Sequence, residues 1–341
     1  MIPGTLSGKR ILFMAPKFFG YEVEIANALK ARGALVDLLP DRPFGSPVMT
    51  AMTRFFPPLV IPAATTYYRK CMSAFGRGDY DIIFIVNGQT LSESFLSDLR
   101  SGFPRAKLVL YLWDSIENRR AIVDKFRYFD EISTFDPKAS IKYNLPLRHL
   151  FFGTGFTPDA DIAYKYHLSF IGTAHSDRYR VVNQIDNALP INLARYWYLF
   201  LQAKWVYHAY RITNPDFKQA GIASFQFDPM PRQNVQEVVR NSRAILDIEH
   251  PLQSGLTIRT LETFGAGKKL VTTNASIRDT EIYDPRNICV IDRNNPHVPI
   301  AFLESPYFAP ERKIYERYSL NGWLDEILLS GLGARARDAI N

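Results

Sequence analysis

Residues 81–113 read DIIFIVNGQTLSESFLSDLRSGFPRAKLVLYLW, and two apolar runs within them decide the fold. DIIFIV (81–86) and KLVLYLW (107–113) lack the strict alternation of a strand with one wet face. Both are therefore expected to be covered on both sides, as parallel strands in an α/β sheet are. A helix near 91–101 supplies the crossover that parallel neighbours need.

The same unit recurs on either side. Upstream, RILFMA (10–15) reads as a strand and Pro16–Gly20 as the loop after it. Tyr21, Ile25 and Leu29 then recur at four-residue spacing, Gly33 stands where a helix ends, and ALVDLL (34–39) closes the unit. Downstream, a helix near 117–127 leads into the strand EISTF (131–135). The stretch NLPLRHLFFGTGFTP (144–158) interrupts this rhythm, and the pattern restarts with HLSFIG (167–172). The expected organisation is an α/β chain of two Rossmann-like domains, 1–155 and 156–322, with 323–341 as the end of a last helix and a polar tail. In the second half, helices are expected from about Arg178, near 232–242 and at 257–266, and strands at RAILDI (243–248), KLVTT (269–273) and ICVID (288–292). RYWYLFLQAKWVYHAY (195–210) is apolar without a clear period and fits either state. A final helical stretch is expected over 311–330.

Composition narrows the function. Apolar residues are 47% of the 341 and charged residues 22%, the balance of a folded globular chain. The formal charge of +7 favours anionic partners, yet no nucleic-acid recognition motif accompanies it, so none is expected as a partner. Cys71 and Cys289 are the only cysteines, which excludes a disulfide framework and a Cys-based zinc site and makes the cytoplasm the natural compartment. No window reaches eighteen uninterrupted apolar residues, so any membrane contact is expected to be peripheral. Residues 42–78 carry Arg42, Arg54, Arg69, Lys70 and Arg77 with no Asp or Glu, among Met49, Met52, Phe55, Phe56 and Tyr68. That composition suits an anionic leaflet or the grip of a lipid-diphosphate acceptor, whereas burial, the usual place of aromatic residues, favours a helical insertion packed on the first domain.

The chemistry concentrates in DIEHPLQSGLTIRTLETFGAGKKLVTTN (247–274). The loop Pro251–Gly255 delivers the chain into a helix near Thr257, and the amides of a helix N-terminus make a site for phosphate. Arg259 and Glu262, three apart, project from one face. One suits a diphosphate and the other a pair of sugar hydroxyls; the same spacing also suits an ordinary surface ion pair. Gly172 and Thr173, ending the strand of HLSFIG, offer amides to the same phosphates, joined by Arg178, which also fits a solvated position on its helix. His175 and His250 are weaker candidates nearby. In the first half, LYLWDSIEN places Asp114 just past a buried strand, where open α/β sheets put ligands, as an acceptor-side base or as a helix cap. Asn87 and Gln89 end the preceding strand and are candidate acceptor contacts. Asp159-Ala160-Asp161 spells a metal motif but lies between domains, so no metal or other cofactor is expected.

The 247–274 string resembles the nucleotide-sugar motif of GT-B glycosyltransferases in the branch whose two glutamates have seven residues between them, the group of bacterial surface-polysaccharide and lipopolysaccharide synthesis. Ser254, Gly255, Leu256 and Thr257 fall on its first half, Glu262 on its second glutamate and Phe264–Gly267 on its small-residue turn. The resemblance implies that the two Rossmann-like domains face each other across a cleft, that Glu262 holds the donor ribose and that the loop amides hold the diphosphate. The first glutamate of the pattern falls on Ser254, so its contact with the donor sugar is missing or supplied by Glu249. FQFDPMPRQNVQEVVRNSRAILDI (225–248) is similar to the stretch that covers the base, which implicates Asp228 and Met230. The opening unit is similar to the family's first, which implicates Lys17 and Gly20 under the acceptor. The implied activity is metal-independent hexosyl transfer from a nucleotide-diphosphate sugar to a hydroxyl of a glycan or lipid-linked glycan. A non-catalytic nucleotide-sugar or glycan-binding protein of the same fold, or a nucleotide-sugar epimerase, is the alternative.

Overall fold

The computed structural model describes residues 5–44, 49, 56–75, 78–118, 120–159, 163–251 and 253–329. Arg54, Met52, Phe55, Arg77, Ala160, Asp161 and the 331–341 tail lie outside them. The chain divides into two units, one of Met1–His149 with Leu320–Asn341 and one of Leu150–Ser319. The division thus falls at 149/150 rather than 155/156, and the chain leaves the second unit at Ser319 rather than after 322.

The first unit is a parallel sheet of β1 (Arg10–Ala15), β2 (Leu35–Pro40), β3 (Ile82–Val86), β4 (Lys107–Leu112) and β5 (Glu131–Thr134), in the order β2-β1-β3-β4-β5. The two runs that open the sequence argument are β3 and β4, paired in register from Ile82 with Lys107 to Val86 with Tyr111. All five residues of β3 are buried. Helices α1 (Tyr21–Ala31), α2 (Pro57–Ala74), α3 (Glu93–Gly102) and α4 (Pro137–Tyr143) cover the sheet. Ser92 caps α3 by accepting the Phe95 amide at 3.1 Å, a contact that satisfies one of the amides a helix leaves over at its start. Of the basic 42–78 segment, α2 is a packed insertion: Val60, Ala64 and Tyr68 are fully buried, the last two in the core of this unit. The helix expected near 117–127 is instead two runs of 3₁₀ turns, Ile116–Asn118 and Arg120–Tyr128.

The second unit repeats the plan with β6 (Tyr166–Thr173), β7 (Arg195–Phe200), β8 (Ser242–Asp247), β9 (Lys269–Thr272) and β10 (Ile288–Val290), all parallel, in the order β10-β9-β8-β6-β7. Its helices include α5 (Arg178–Ala188), α6 (Lys204–Thr213), α7 (Arg232–Arg240) and α8 (Ile258–Gly265). The ambiguous 195–210 run resolves into β7 followed by α6. The single helix expected over 311–330 is broken into Arg312–Arg317, Leu320–Leu324 and a π-type turn at Asp325–Leu329. The last two of these pieces belong to the first unit. Trp323 is fully buried there, edge-on to Tyr111 with ring centroids 4.9 Å apart. Arg32 donates to the Asn321 carbonyl at 2.8 Å and pairs with Asp325, while buried Arg148 pairs with Glu326 at 2.9 Å. Among the described residues no helix is long and apolar enough to cross a membrane.

Candidate functional site

In the second unit the carboxyl ends of β6, β8 and β9 carry a dense polar cluster. Its base is Asp247, the last residue of β8, which is buried. The Thr257 hydroxyl donates to one Asp247 carboxylate oxygen at 2.7 Å and the Thr260 hydroxyl donates to the same oxygen at 2.6 Å. Thr257 also caps α8, its hydroxyl oxygen accepting the Thr260 amide at 3.1 Å. The start of α8 is thereby tied to the sheet edge. Hydrogen bonds to an ionised group are worth about 1.5–3 kcal/mol, so one buried carboxylate fixes where this helix points. Behind Thr257, the Gly255 carbonyl accepts from Gln253 at 3.1 Å and from the Asn274 amide group at 3.3 Å. Ser254 is buried beside it. Leu256 is 1% exposed, so only its backbone can meet a ligand.

Arg259 and Glu262 do face each other, at 2.6 Å. Their pair is not the surface pair that spacing alone allows: the side chains are 17% and 6% exposed. Glu262 in its ribose role would have to share or open this contact.

A Cβ at Gly172 would come within 2.9 Å of the Phe170 ring and 3.3 Å of the Arg178 guanidinium, so a larger residue there would have to push the ring aside and would crowd Arg178. Arg178 opens α5 but turns inward. Its Nε donates to the Ile248 carbonyl at 2.7 Å and one terminal nitrogen to the Thr173 carbonyl at 3.1 Å, clamping the ends of β8 and β6. Burial makes its guanidinium easier to deprotonate than usual; Asp247 and Glu249 oppose that effect, and Arg293 and Arg259 add to it. The expected phosphate contact is thus first a clamp on the backbone. Asp228 is exposed and Met230 half-exposed on the loop beyond Gln226, which bridges the end of β7. The Tyr198 hydroxyl donates to the Asp228 carbonyl. In the strand order this loop lies on the β7 flank, two strands from β8.

The sequence reading missed Arg293, Asp177 and Thr273. Arg293 pairs with Asp177 at 2.8 Å and with the Glu249 carboxylate, and donates to the Glu249 carbonyl at 2.9 Å and the Thr273 hydroxyl at 3.1 Å. Thr273 donates in turn to the other Glu249 oxygen. Asp177 also holds Arg180 at 3.0 Å. The one signal was position, since Arg293 directly follows the strand expected to end at Asp292. His175 and His250 lie with ring centroids 5.4 Å apart in the same cluster. Burial, followed by the positive field of Arg178, pushes His175 down to about 4, so its ring is neutral near pH 7.

In the first unit the candidates gather at the carboxyl ends of β1, β3 and β4. Lys17 is exposed, and Gly20, at φ 79°, caps α1 in the left-handed region. Asn87, at φ 67°, is 2% exposed and its side-chain oxygen accepts the Trp113 amide at 3.1 Å, which ties the end of β3 to the end of β4. The Gln89 amide donates to buried Asp41 at 2.7 Å, leaving its half-exposed side chain at the edge. The Asp114 carboxylate accepts the Ser115 amide at 3.0 Å ahead of the Ile116–Asn118 turn, a local cap on a half-exposed group. Asp159 approaches Arg240 at 4.0 Å, and its motif partner Asp161 is outside the described residues.

No protein-family model and no curated protein matches the chain. Among solved structures, Anabaena Alr3699/HepE in complex with UDP and glucose is similar, with a TM-score of 0.55 at 12% identity over 94% of this chain and 99% of that one. The same protein in complex with UDP-glucose gives 0.51 at 12% identity over 97% and 93%. The likeness establishes the fold: two Rossmann-like α/β units with parallel sheets.

Proposed function

We propose that this chain transfers a sugar from a nucleoside-diphosphate sugar to a hydroxyl of a glycan or lipid-linked glycan, in the synthesis of a bacterial surface polysaccharide, at the cytoplasmic face of the membrane and without a metal. The observation that carries the reading is the anchoring of α8 by Asp247. It aims the N-terminal amides of that helix beyond the carboxyl edge of the sheet, where a diphosphate is stabilised by peptide dipoles and N–H groups. HepE, of similar fold, is described with UDP and glucose and with UDP-glucose bound, which supports a donor of this class.

In this reading the leaving diphosphate develops charge as the glycosidic bond breaks. The α8 amides and the Arg259 guanidinium stabilise that charge. Glu262 orients Arg259 and takes the ribose hydroxyls, and Asp228 and Met230 flank the base. Gly172, Thr173 and Arg178 shape the opposite wall of the phosphate site. On the first unit Asp114 accepts the proton of the acceptor hydroxyl, with Lys17, Gly20 and Gln89 beside it. The sugar passes through an oxocarbenium-like transition state. A thermal-shift panel of UDP, GDP, dTDP and CMP sugars tests the reading, because a ligand bound only by the folded chain raises its melting point. One nucleotide class is expected to stabilise the chain, and the same donor is expected to label a glycan acceptor. Stabilisation by none of them removes the assignment.

A further inference from the structure

The first unit's sheet reverses its build at β1: the chain runs from β1 outward to β2 and then returns to the other side of β1 as β3. The crevice beyond the carboxyl ends of β1 and β3 is therefore a topological switch point, where open α/β sheets take ligands. Phe18 and Phe19 stand in the loop at that crevice. Phe19 has φ 49°, in the left-handed region, and is 65% exposed. A bulky side chain is strained there, and an apolar ring left in water forgoes burial. The loop nevertheless has a defined form. The Phe18 amide donates to the Glu22 carboxylate at 3.0 Å, and the Tyr21 amide donates to the Phe18 carbonyl at 3.0 Å. The Phe18 ring meets Phe19 edge-on, centroids 4.8 Å and planes 77° apart, and lies 5.8 Å from Trp113 at the end of β4, tilted 52° from it, so the three rings line a corner rather than one flat face.

We propose that Phe18, Phe19 and Trp113 form a platform on which a pyranose ring of the acceptor glycan stacks. The inference rests on the reading of the chain as a glycosyltransferase and names the class of ligand its first unit takes. A pyranose presents an apolar C–H face and a rim of hydroxyls. Aromatic faces attract the first, and the side chains of Lys17 and Asp114, sequence neighbours of the rings, serve the second. A corner of three rings, one of which can meet the C–H face while the others meet its edge, with two polar neighbours, has the size of one sugar ring rather than the broad apolar and cationic area of a lipid surface. Strain concentrated in the exposed residue is what a binding loop carries when function, not folding, selects the side chain.

Saturation-transfer NMR on the whole chain tests this, with methyl α- and β-glucopyranoside, -galactopyranoside and -mannopyranoside as probes and dihexanoylphosphatidylcholine as the lipid control. Wild type is compared with Phe19→Gly and Trp113→Leu. At least one glycoside is expected to show transfer to its ring C–H protons in wild type, with affinity about tenfold lower in each variant. The melting point of Phe19→Gly is expected to equal or exceed that of wild type, because glycine adopts this backbone without strain and a role in folding would lower it. Undiminished glycoside contacts in Phe19→Gly overturn the proposal. So does the absence of any glycoside contact in wild type, or a lipid signal that these variants abolish in place of a glycoside signal. Stabilisation by nucleotide sugars, measured on the same three proteins, reports on donor binding by the other unit and so separates failure of the platform from failure of the functional reading.

Discussion

The carboxyl edges of the two sheets are built on one plan and furnished in opposite ways. That of the second unit is crowded with ions held inside the protein: Asp247, Glu249 and Glu262 are buried, and Arg259, Arg293 and Asp177 are nearly so, each engaged by a partner. That of the first unit presents Phe18, Phe19 and Lys17 to solvent, and the Asp114 carboxylate there accepts the amide of the next residue, Ser115. An edge that is to receive a highly charged diphosphate needs oriented charge held away from water, where it acts strongly. An edge that is to receive neutral hydroxylated rings needs apolar faces and a few polar neighbours. Changes at the second edge should therefore cost stability as well as ligand binding, and changes at the first should cost ligand binding alone.

The sharpest break in that contrast is Glu262→Ala. Leaving Arg259 without its buried partner is expected to cost about 3–5 kcal/mol, read by denaturant unfolding. The variant thus cannot be treated as a clean binding mutant, although the sequence alone suggests one. An unchanged midpoint would show that the pair is not buried in solution. Next comes Asp247→Asn, which removes the charge from two short hydrogen bonds at the start of α8. A loss of about 2 kcal/mol is expected, together with weaker nucleotide-sugar stabilisation. Loss of stability without any loss of ligand response would detach α8 from the donor.

A third test uses pH. His175 is held down to about 4 in the folded chain, below the ordinary 6.5, so between those values the unfolded chain binds a proton that the folded chain does not. Stability should therefore fall as pH drops from about 6.5 towards 4, by about 2 kcal/mol after allowing for the ring's partial exposure. His175→Asn should flatten that part of the profile, and an unaltered slope in the variant would assign the loss to other groups. The smallest effect belongs to the first edge. Lys17→Ala should stay within about 0.5 kcal/mol of wild type in unfolding while changing acceptor KM. A larger loss of stability would mean that the two edges are not so different.

How much of this was legible in the sequence follows from how local each cause is. The strands β3 and β4 announce themselves because burial on both faces leaves an unbroken apolar run. The run 195–210 gave no such signal: the turn between β7 and α6 is Leu201-Gln202-Ala203, with neither glycine nor proline to mark it. The break after Arg317 is likewise invisible locally, because Ser319 leaves the helix to form a bridge with Phe152, far away in the chain. At the site, three-residue spacing was enough to pair Arg259 with Glu262, but not to show that the pair is enclosed. Arg293 was missed because Asp177 and Glu249 lie 116 and 44 residues from it, and only the sheet brings them together. The expectation for Arg178 took a cation near a glycine to mean a phosphate, whereas two backbone carbonyls at the sheet edge already claim its guanidinium.

The most direct measurement is a crystal structure of the chain soaked with whichever nucleotide sugar stabilises it most. The account predicts the diphosphate against the first turn of α8, beside Thr257 and Arg259, with the nucleoside directed towards the β7 flank. A nucleotide seated on the aromatic edge of the first unit, or density for none at all, would contradict it.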